Sequence, residues 1–171
     1  ELKSILYSYK LSECFNENTL KDAENLSSKI SSDEIKNRLD LRDDLTFTID
    51  GETAKDFDDA VSISRIENGY RLGVHIADVS HYVRERTHLD RAVMARGTSV
   101  YFTDKVVPML PPSLSNGACS LNPDEEKYTL SAIIDLTPKG EIKGVRLNTS
   151  TDVTVAGILA SLLEMASEGE D

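Results

Sequence analysis

The chain has 171 residues, 39% hydrophobic and 29% charged, and these proportions are typical of a single globular domain with its own core. Its formal net charge of −11 argues against broad nucleic-acid binding by this chain alone, because phosphate contacts need Lys and Arg. No apolar run approaches the length of a membrane span, and the first residues lack the pattern of a signal peptide. We therefore expect a cytoplasmic protein with no membrane partner.

The first 40 residues have the apolar spacing of short helices joined by connectors. Two stripes recur at helical spacing: Leu2, Ile5, Leu6 and Tyr9, followed by Leu20, Ala23, Leu26 and Ile30. Ser31 and Glu34 then form a capping-box pattern, which predicts a further helix start.

From residue 45 onward the pattern changes to that of strands. Residues 45–49 alternate and are rich in strand formers, and Asn68-Gly69 between residues 60–66 and 70–76 is the strongest hairpin signal in the chain. Thr87 can cap a helix that ends near Gly97. A strand over 98–102, a loop over 108–124 and a second hairpin over 130–147 follow. Apolar residues at helical spacing between 155 and 166 predict an amphipathic helix before an acidic end.

Four aspartates lie within ten residues of one another, at Asp50, Asp56, Asp58 and Asp59. Carboxylates at this density repel one another unless cations lie among them. Oxygen ligands in such a cluster suit Mg²⁺, which leaves part of its octahedron to water and substrate phosphate. A solvated acidic loop is the alternative, and spacing alone supports the two equally.

An EF-hand is excluded, because its sixth and twelfth positions need Gly and Glu. Counted from Asp50, those positions hold Lys55 and Val61.

The cysteines and histidines do not have the spacing of metal ligands. Cys14 and Cys119 are predicted to be reduced thiols, consistent with a reducing compartment. His75, His81 and His88 match no zinc pattern, so we expect structural histidines with satisfied hydrogen bonds.

Several linked motifs resemble one enzyme family. They are 42–50 (RDDLTFTID), 55–61 (KDFDDAV), 73–83 (GVHIADVSHYV), 96–101 (RGTSVY), 107–111 (VPMLP) and 114–121 (LSNGACSL). Over residues 38–148 the chain resembles the front part of the catalytic (RNB) domain of the ribonuclease II / ribonuclease R family, whose members are processive 3′→5′ exoribonucleases. The resemblance implies an α+β fold with a mixed, largely antiparallel sheet and flanking helices.

The resemblance also implies an organisation along the chain. Residues 1–37 would be a helical connector and residues 38–150 the front part of the catalytic domain. Residues 151–171, the amphipathic helix and acidic tail, have an uncertain relation to the family.

The resemblance assigns roles to residues of the acidic loop. Asp50, Asp56, Asp58 and Asp59 would be the catalytic aspartates that hold Mg²⁺ or Mn²⁺ at the scissile phosphate, and Asp58 is expected to be the least dispensable. The substrate would be single-stranded RNA and the product a 5′-mononucleotide.

The resemblance makes Tyr101 an aromatic residue that stacks on an RNA base. An aromatic residue in a half-buried strand also suits core packing, and that interpretation stays open. His75, Asp78 and His81 lie in a family-like motif, but no chemical role follows for them.

Two rival hypotheses remain at this stage. A non-catalytic RNB-like module would keep the fold and the acidic site for binding or scaffolding, and a simple acidic protein would bind Ca²⁺ for stability. The resemblance further implies that a later part of the family's catalytic domain supplies an arginine and the rest of the RNA clamp. We therefore expect weak activity, or none, from the 171 residues alone.

Overall fold

The computed structural model describes residues 2–9, 11–26, 30–51, 54–103 and 105–155. The chain divides into two compact units: unit 1 is Glu1–Ser28 with Val79–Ala118, and unit 2 is Lys29–Asp78 with Cys119–Asp171. The segment boundaries predicted at residues 37 and 150 stay predictions. No helix within the described ranges has the length and apolar character that crossing a membrane requires.

The described residues form five α-helices and eight strands. The helices are α1 (Leu2–Ser8), α2 (Glu17–Glu24), α3 (Ser32–Ile35), α4 (Val79–Tyr82) and α5 (His88–Arg96). The strands are β1 (Leu39–Asp40), β2 (Thr46–Phe47), β3 (Asp59–Ile66), β4 (Gly69–Ala77), β5 (Val100–Tyr101), β6 (Val106–Val107), β7 (Glu126–Leu136) and β8 (Ile142–Val155). A π-helical turn at Leu114–Ala118 occupies part of the predicted loop.

Both predicted helix starts are present, at α5 and at α3, but a side-chain capping bond forms only at α5. Thr87 caps α5 by accepting from the backbone N–H of Asp90 at 3.0 Å, and Gly97 ends it with a φ of +73°, as predicted. Ser31 makes no side-chain cap at α3. Its backbone N–H instead donates to the hydroxyl of Tyr128 at 2.7 Å, so a tertiary contact holds the start of this single-turn helix.

Unit 2 contains a six-stranded sheet in the order β1-β8-β2-β3-β4-β7, with β7 also paired to β8. Because β8 pairs with both β7 and β2, five of the strands close into a ring. The pairs of β1 and β2 with β8 are parallel, and the others are antiparallel. The predicted α+β fold with a largely antiparallel sheet is confirmed.

An antiparallel sheet commonly buries apolar side chains and exposes polar ones, whereas this sheet buries many polar side chains and exposes apolar ones. Its buried face carries polar side chains: Ser62, His75, Ser131, Ser150 and Asp152. Its other face exposes large apolar side chains: Ile63, Ile76, Leu130, Val145 and Leu147. The interior of the ring is therefore held by hydrogen bonds to an unusual extent.

The segment predicted as an amphipathic helix begins differently in the structure. Residues 151–155 continue β8, because the run Thr151-Asp152-Val153-Thr154-Val155 is rich in β-branched residues and pairs with neighbouring strands. The remainder of that prediction, residues 156–171, lies outside the described residues.

Candidate metal centre

The four aspartates lie along the β2–β3 connection in unit 2, one near its start and three where the chain enters β3. Asp50 follows β2, Asp56 and Asp58 lie in the loop that approaches β3, and Asp59 is the first residue of β3. Asp50 and Asp56 are half-buried, whereas Asp58 and Asp59 are exposed. The strand predicted over residues 45–49 is shorter in the structure, Thr46–Phe47, so Asp50 lies within the connection, whereas Asp59 begins β3.

The loop that carries Asp56 and Asp58 is held by three backbone tethers. The N–H of Phe57 donates to Ser120 Oγ at 3.0 Å, and the C=O of Phe57 accepts from Leu121 N at 2.9 Å. The C=O of Asp58 accepts from Ala77 N at 3.0 Å. The loop is thus attached both to the segment after the π-helical turn and to the end of β4.

The carboxylates interact electrostatically at Asp58. The pKa of Asp58 is raised, first by partial desolvation and then by the negative charges of Asp56, Asp59 and Asp50. The other three acids therefore all lie within electrostatic reach of Asp58. A carboxyl with a raised folded-state pKa favours folding below its unfolded pKa of 3.8, and this contribution is lost as the pH rises through the folded value. At neutral pH the Asp58 carboxylate consequently opposes folding.

The arrangement does not yet form a closed ligand set. Among the described residues, no three His, Cys, Asp or Glu side chains lie close enough together to hold a metal ion as they stand. The donor chemistry nevertheless fits a hard cation, because every candidate ligand is a carboxylate oxygen and the negative charges of the other three acids all act on Asp58. Asp50, Asp56, Asp58 and Asp59 are the residues that could hold Mg²⁺ here.

Tyr101 lies in unit 1, in the two-stranded pairing of β5 with β6, where it faces Val106 across the ladder. Its side chain is 63% exposed. A core-packing role does not fit this exposure, so the ring is accessible to a ligand such as an RNA base.

The other residues of the family-like motifs have structural surroundings. His75 is fully buried: its Nε2 lies 3.0 Å from Ser62 Oγ, and its Nδ1 lies 2.8 Å from Ser131 Oγ and 3.2 Å from Asp152 Oδ2. This is the satisfied structural histidine that was predicted. No sequence pattern indicated Asp152 as its partner, because the two residues lie in strands far apart in the chain, β4 and β8.

Asp78 and His81 also make defined contacts, each within its own unit. Asp78 forms a buried ion pair with Arg38 at 2.8 Å, and the guanidinium of Arg38 lies 4.4 Å from the centre of the Tyr128 ring. The ring of His81 packs edge-on against Tyr82. These contacts give Asp78 and His81 defined positions within their units.

Both cysteines are unpaired, as predicted. Cys119 is buried, and burial raises the pKa of its thiol to about 12. A thiol that is protonated at neutral pH is a poor nucleophile, so Cys119 is a packing residue beside the tethered loop.

Comparisons with known proteins place these residues in a family. Residues 38–156 match the model of the RNB domain, and the chain belongs to the RNB domain family. It is 48% identical over 151 residues to Ribonuclease R 1 of Lactococcus lactis, covering 88% of this chain and 18% of that protein. The chain thus spans about a fifth of the length of this curated relative.

Solved structures show the same fold. The structure of Mycoplasma genitalium RNase R in complex with double-stranded RNA matches with a TM-score of 0.89 at 31% identity, covering 99% of this chain and 30% of that one. The structure of yeast Ssd1, a pseudonuclease, matches with a TM-score of 0.67 at 25% identity, covering 75% of this chain and 16% of that one.

Proposed function

We propose that this chain is the aspartate-bearing part of the catalytic domain of an exoribonuclease. The parent enzyme would hydrolyse single-stranded RNA from its 3′ end with Mg²⁺ or Mn²⁺ as cofactor and release 5′-mononucleotides. The observation that carries the proposal is the gathering of four carboxylates around Asp58, within a segment that matches the RNB domain. The similarity to Ribonuclease R 1 supports the same class of activity.

The proposed roles follow from the positions of the carboxylates. Asp50, Asp56, Asp58 and Asp59 would hold the metal, which when bound supplies positive charge against the scissile phosphate and makes water a better nucleophile. Because Asp58 and Asp59 are exposed, a phosphate group could approach their carboxylates from solvent. The loop tethers at Phe57 and Asp58 keep the carboxylates in place while substrate binds.

A non-catalytic module is the second candidate function. The similarity to a protein described as a pseudonuclease shows that this fold also occurs in such a protein. The presence of all four aspartates favours the catalytic hypothesis. Their negative charges repel the Asp58 carboxylate, and a scaffold has no need of such an unfavourable cluster. A cytoplasmic location of the parent stays a prediction, supported by the two unpaired thiols.

A chimeric enzyme tests the proposal directly. This chain would replace the matching segment of Ribonuclease R 1 of Lactococcus lactis, to which it is 48% identical. Given single-stranded RNA labelled at either end, the chimera should release 5′-mononucleotides from the 3′ end, and Asp58→Asn should abolish the release. A folded chimera that binds RNA and leaves it intact would favour the non-catalytic module.

Addition of millimolar Mg²⁺ or Mn²⁺ is expected to raise the melting temperature of the 171-residue chain. Cation binding to the folded state offsets the repulsion among the four carboxylates and stabilises the chain by mass action. Thermal melts of the wild type should shift upward with metal, whereas those of the double variant Asp58→Asn/Asp59→Asn should shift little.

The matched control for this experiment is Asp43→Asn/Asp44→Asn, which removes the same number of charges from exposed positions outside the cluster. That control should keep the full metal response. Equal metal responses in all three proteins would contradict a site at the cluster. Stabilisation by Ca²⁺ as large as that by Mg²⁺, without RNA turnover in the chimera, would support a calcium-binding protein instead.

Tyr101→Ala is expected to change the RNA product and leave stability nearly intact. Because its side chain is 63% exposed, the free energy of unfolding of the chain should fall by less than about 1 kcal/mol. In the chimera, loss of a stacking partner should alter the length of the final undegraded oligonucleotide. Tyr7→Ala, at another exposed tyrosine, is the control and should not alter it. A lowered melting temperature with an unchanged end product would restore the core-packing interpretation.

A further inference from the structure

The backbone of Phe57 is the point at which the acidic loop is fixed. Phe57 lies between Asp56 and Asp58, and both of its backbone polar groups are bonded to the segment at residues 120–121. The position of the Phe57 peptide therefore sets the positions of Asp56 and Asp58 together.

The hydroxyl of Ser120 is oriented to accept the Phe57 N–H. Ser120 is fully buried, and its Oγ lies 3.0 Å from Asn122 Oδ1 and 3.4 Å from the carbonyl oxygen of Lys55. Because an amide or carbonyl oxygen can only accept, the hydroxyl proton points to one of these groups. The lone pairs of Oγ are then free to accept from Phe57 N at 3.0 Å.

This bond acts against the mutual repulsion of the acids. The charges that raise the pKa of Asp58 would also move the loop toward a wider, more solvated arrangement if its backbone were free. A buried bond that holds Phe57 limits this movement before any cation arrives. Groups that orient ligands without touching the metal commonly change metal affinity by about 10–100-fold when removed.

We infer that Ser120 is a positioning residue of the metal centre, which acts through the Phe57 N–H to fix the loop segment that carries Asp56 and Asp58. The inference rests on the proposed function and adds a residue that touches neither metal nor substrate. It also gives a role to the motif at residues 114–121, for which the sequence suggested none.

The test measures Mn²⁺ affinity of the 171-residue chain by electron paramagnetic resonance, and exchange of the Phe57 amide proton by NMR without metal. Ser120→Ala should weaken Mn²⁺ binding roughly tenfold and speed exchange at Phe57. Ser120→Thr keeps the hydroxyl and should retain most of both properties. Ser131→Ala is the matched control, because Ser131 is a fully buried, hydrogen-bonded serine of the same unit that has no contact with the loop tethers.

The outcomes separate this inference from the function on which it rests. A Ser120→Ala chain that is folded and binds Mn²⁺ as tightly as the wild type would overturn the positioning role and leave the metal centre intact. Equal weakening by Ser120→Ala and Ser131→Ala, with Phe57 exchange unchanged, would also overturn it by showing a general loss of stability. A folded wild-type chain that binds no Mn²⁺ at millimolar concentration would overturn the metal centre and the inference together.

Discussion

Replacement of Gly69 by alanine is expected to abolish stable folding of unit 2. Gly69 has a φ of +143°, which L side chains rarely adopt, and a Cβ at this position would lie 1.8 Å from the backbone oxygen of Leu136. Backbone of β7 cannot move aside without breaking the β4–β7 ladder that begins there. We expect a loss of about 4 kcal/mol or more, a large part of the stability of an ordinary domain.

Urea denaturation followed by circular dichroism would measure this loss. Gly144→Ala is the matched control, because its Cβ would meet no atom within 4 Å and Gly144 lies in β8 of the same sheet. The control should differ from the wild type by no more than about 0.5 kcal/mol. A Gly69→Ala chain with the unfolding midpoint of the wild type would contradict the close approach of Gly69 to the Leu136 carbonyl.

His75→Phe should have the second-largest effect. The ring of phenylalanine fills a similar volume but leaves Ser62, Ser131 and Asp152 without the imidazole nitrogens. Removal of one partner leaves buried polar groups without a hydrogen bond, and each such group typically costs about 1–3 kcal/mol. Denaturation midpoints should fall accordingly, whereas His88→Phe, at an exposed histidine, should change them little.

A double variant tests whether the contact between His75 and Asp152 is the source of this loss of stability. Asp152 has one carboxylate oxygen, Oδ1, that is buried and has no hydrogen-bond partner, so the residue is already incompletely satisfied. Replacement of both members of a buried pair by apolar residues is often neutral or stabilising. His75→Phe/Asp152→Leu should therefore recover much of the stability lost by His75→Phe. A double variant less stable than the single one would contradict the pair as the source of the loss.

Local signals in the sequence predicted the elements that depend on local chemistry. The Asn68-Gly69 pair gave the β3–β4 hairpin because a glycine is required at the crowded turn. Thr87 and Gly97 gave both ends of α5 because their contacts lie within one helical turn. The clustering of the acids could also be predicted from the sequence, since all four lie in or next to one connection between two neighbouring strands.

The face of the sheet that is buried could not be predicted. Alternation in β3 and β4 separates Ser62 and His75 from Ile63 and Ile76, but the usual rule would place the isoleucines inside. In the structure Ser62 and His75 lie inside, where hydrogen bonds join side chains of four strands. Such bonds join residues far apart in the chain, and no local pattern reveals them.

The same limit applies to the candidate site. The tether joins Phe57 to Ser120, which lies 63 residues later in the chain, so no local sequence pattern predicts it. The start of the predicted C-terminal helix was misplaced for a related reason. Val155 fits a helical stripe, yet it pairs with Phe47 of β2, and this distant partner fixes it as strand.

The late position of β8 has a consequence for synthesis on the ribosome. β8 closes the ring by pairing its last residues, Thr154 and Val155, with β2 near the other end of unit 2. At about 5–20 residues per second, translation separates the emergence of these two strands by on the order of ten seconds. During that interval the two-residue β2 has only β3 as a neighbour. An unfinished nascent chain therefore carries all four acids before β8 has joined β2, and so before the five-stranded ring has closed.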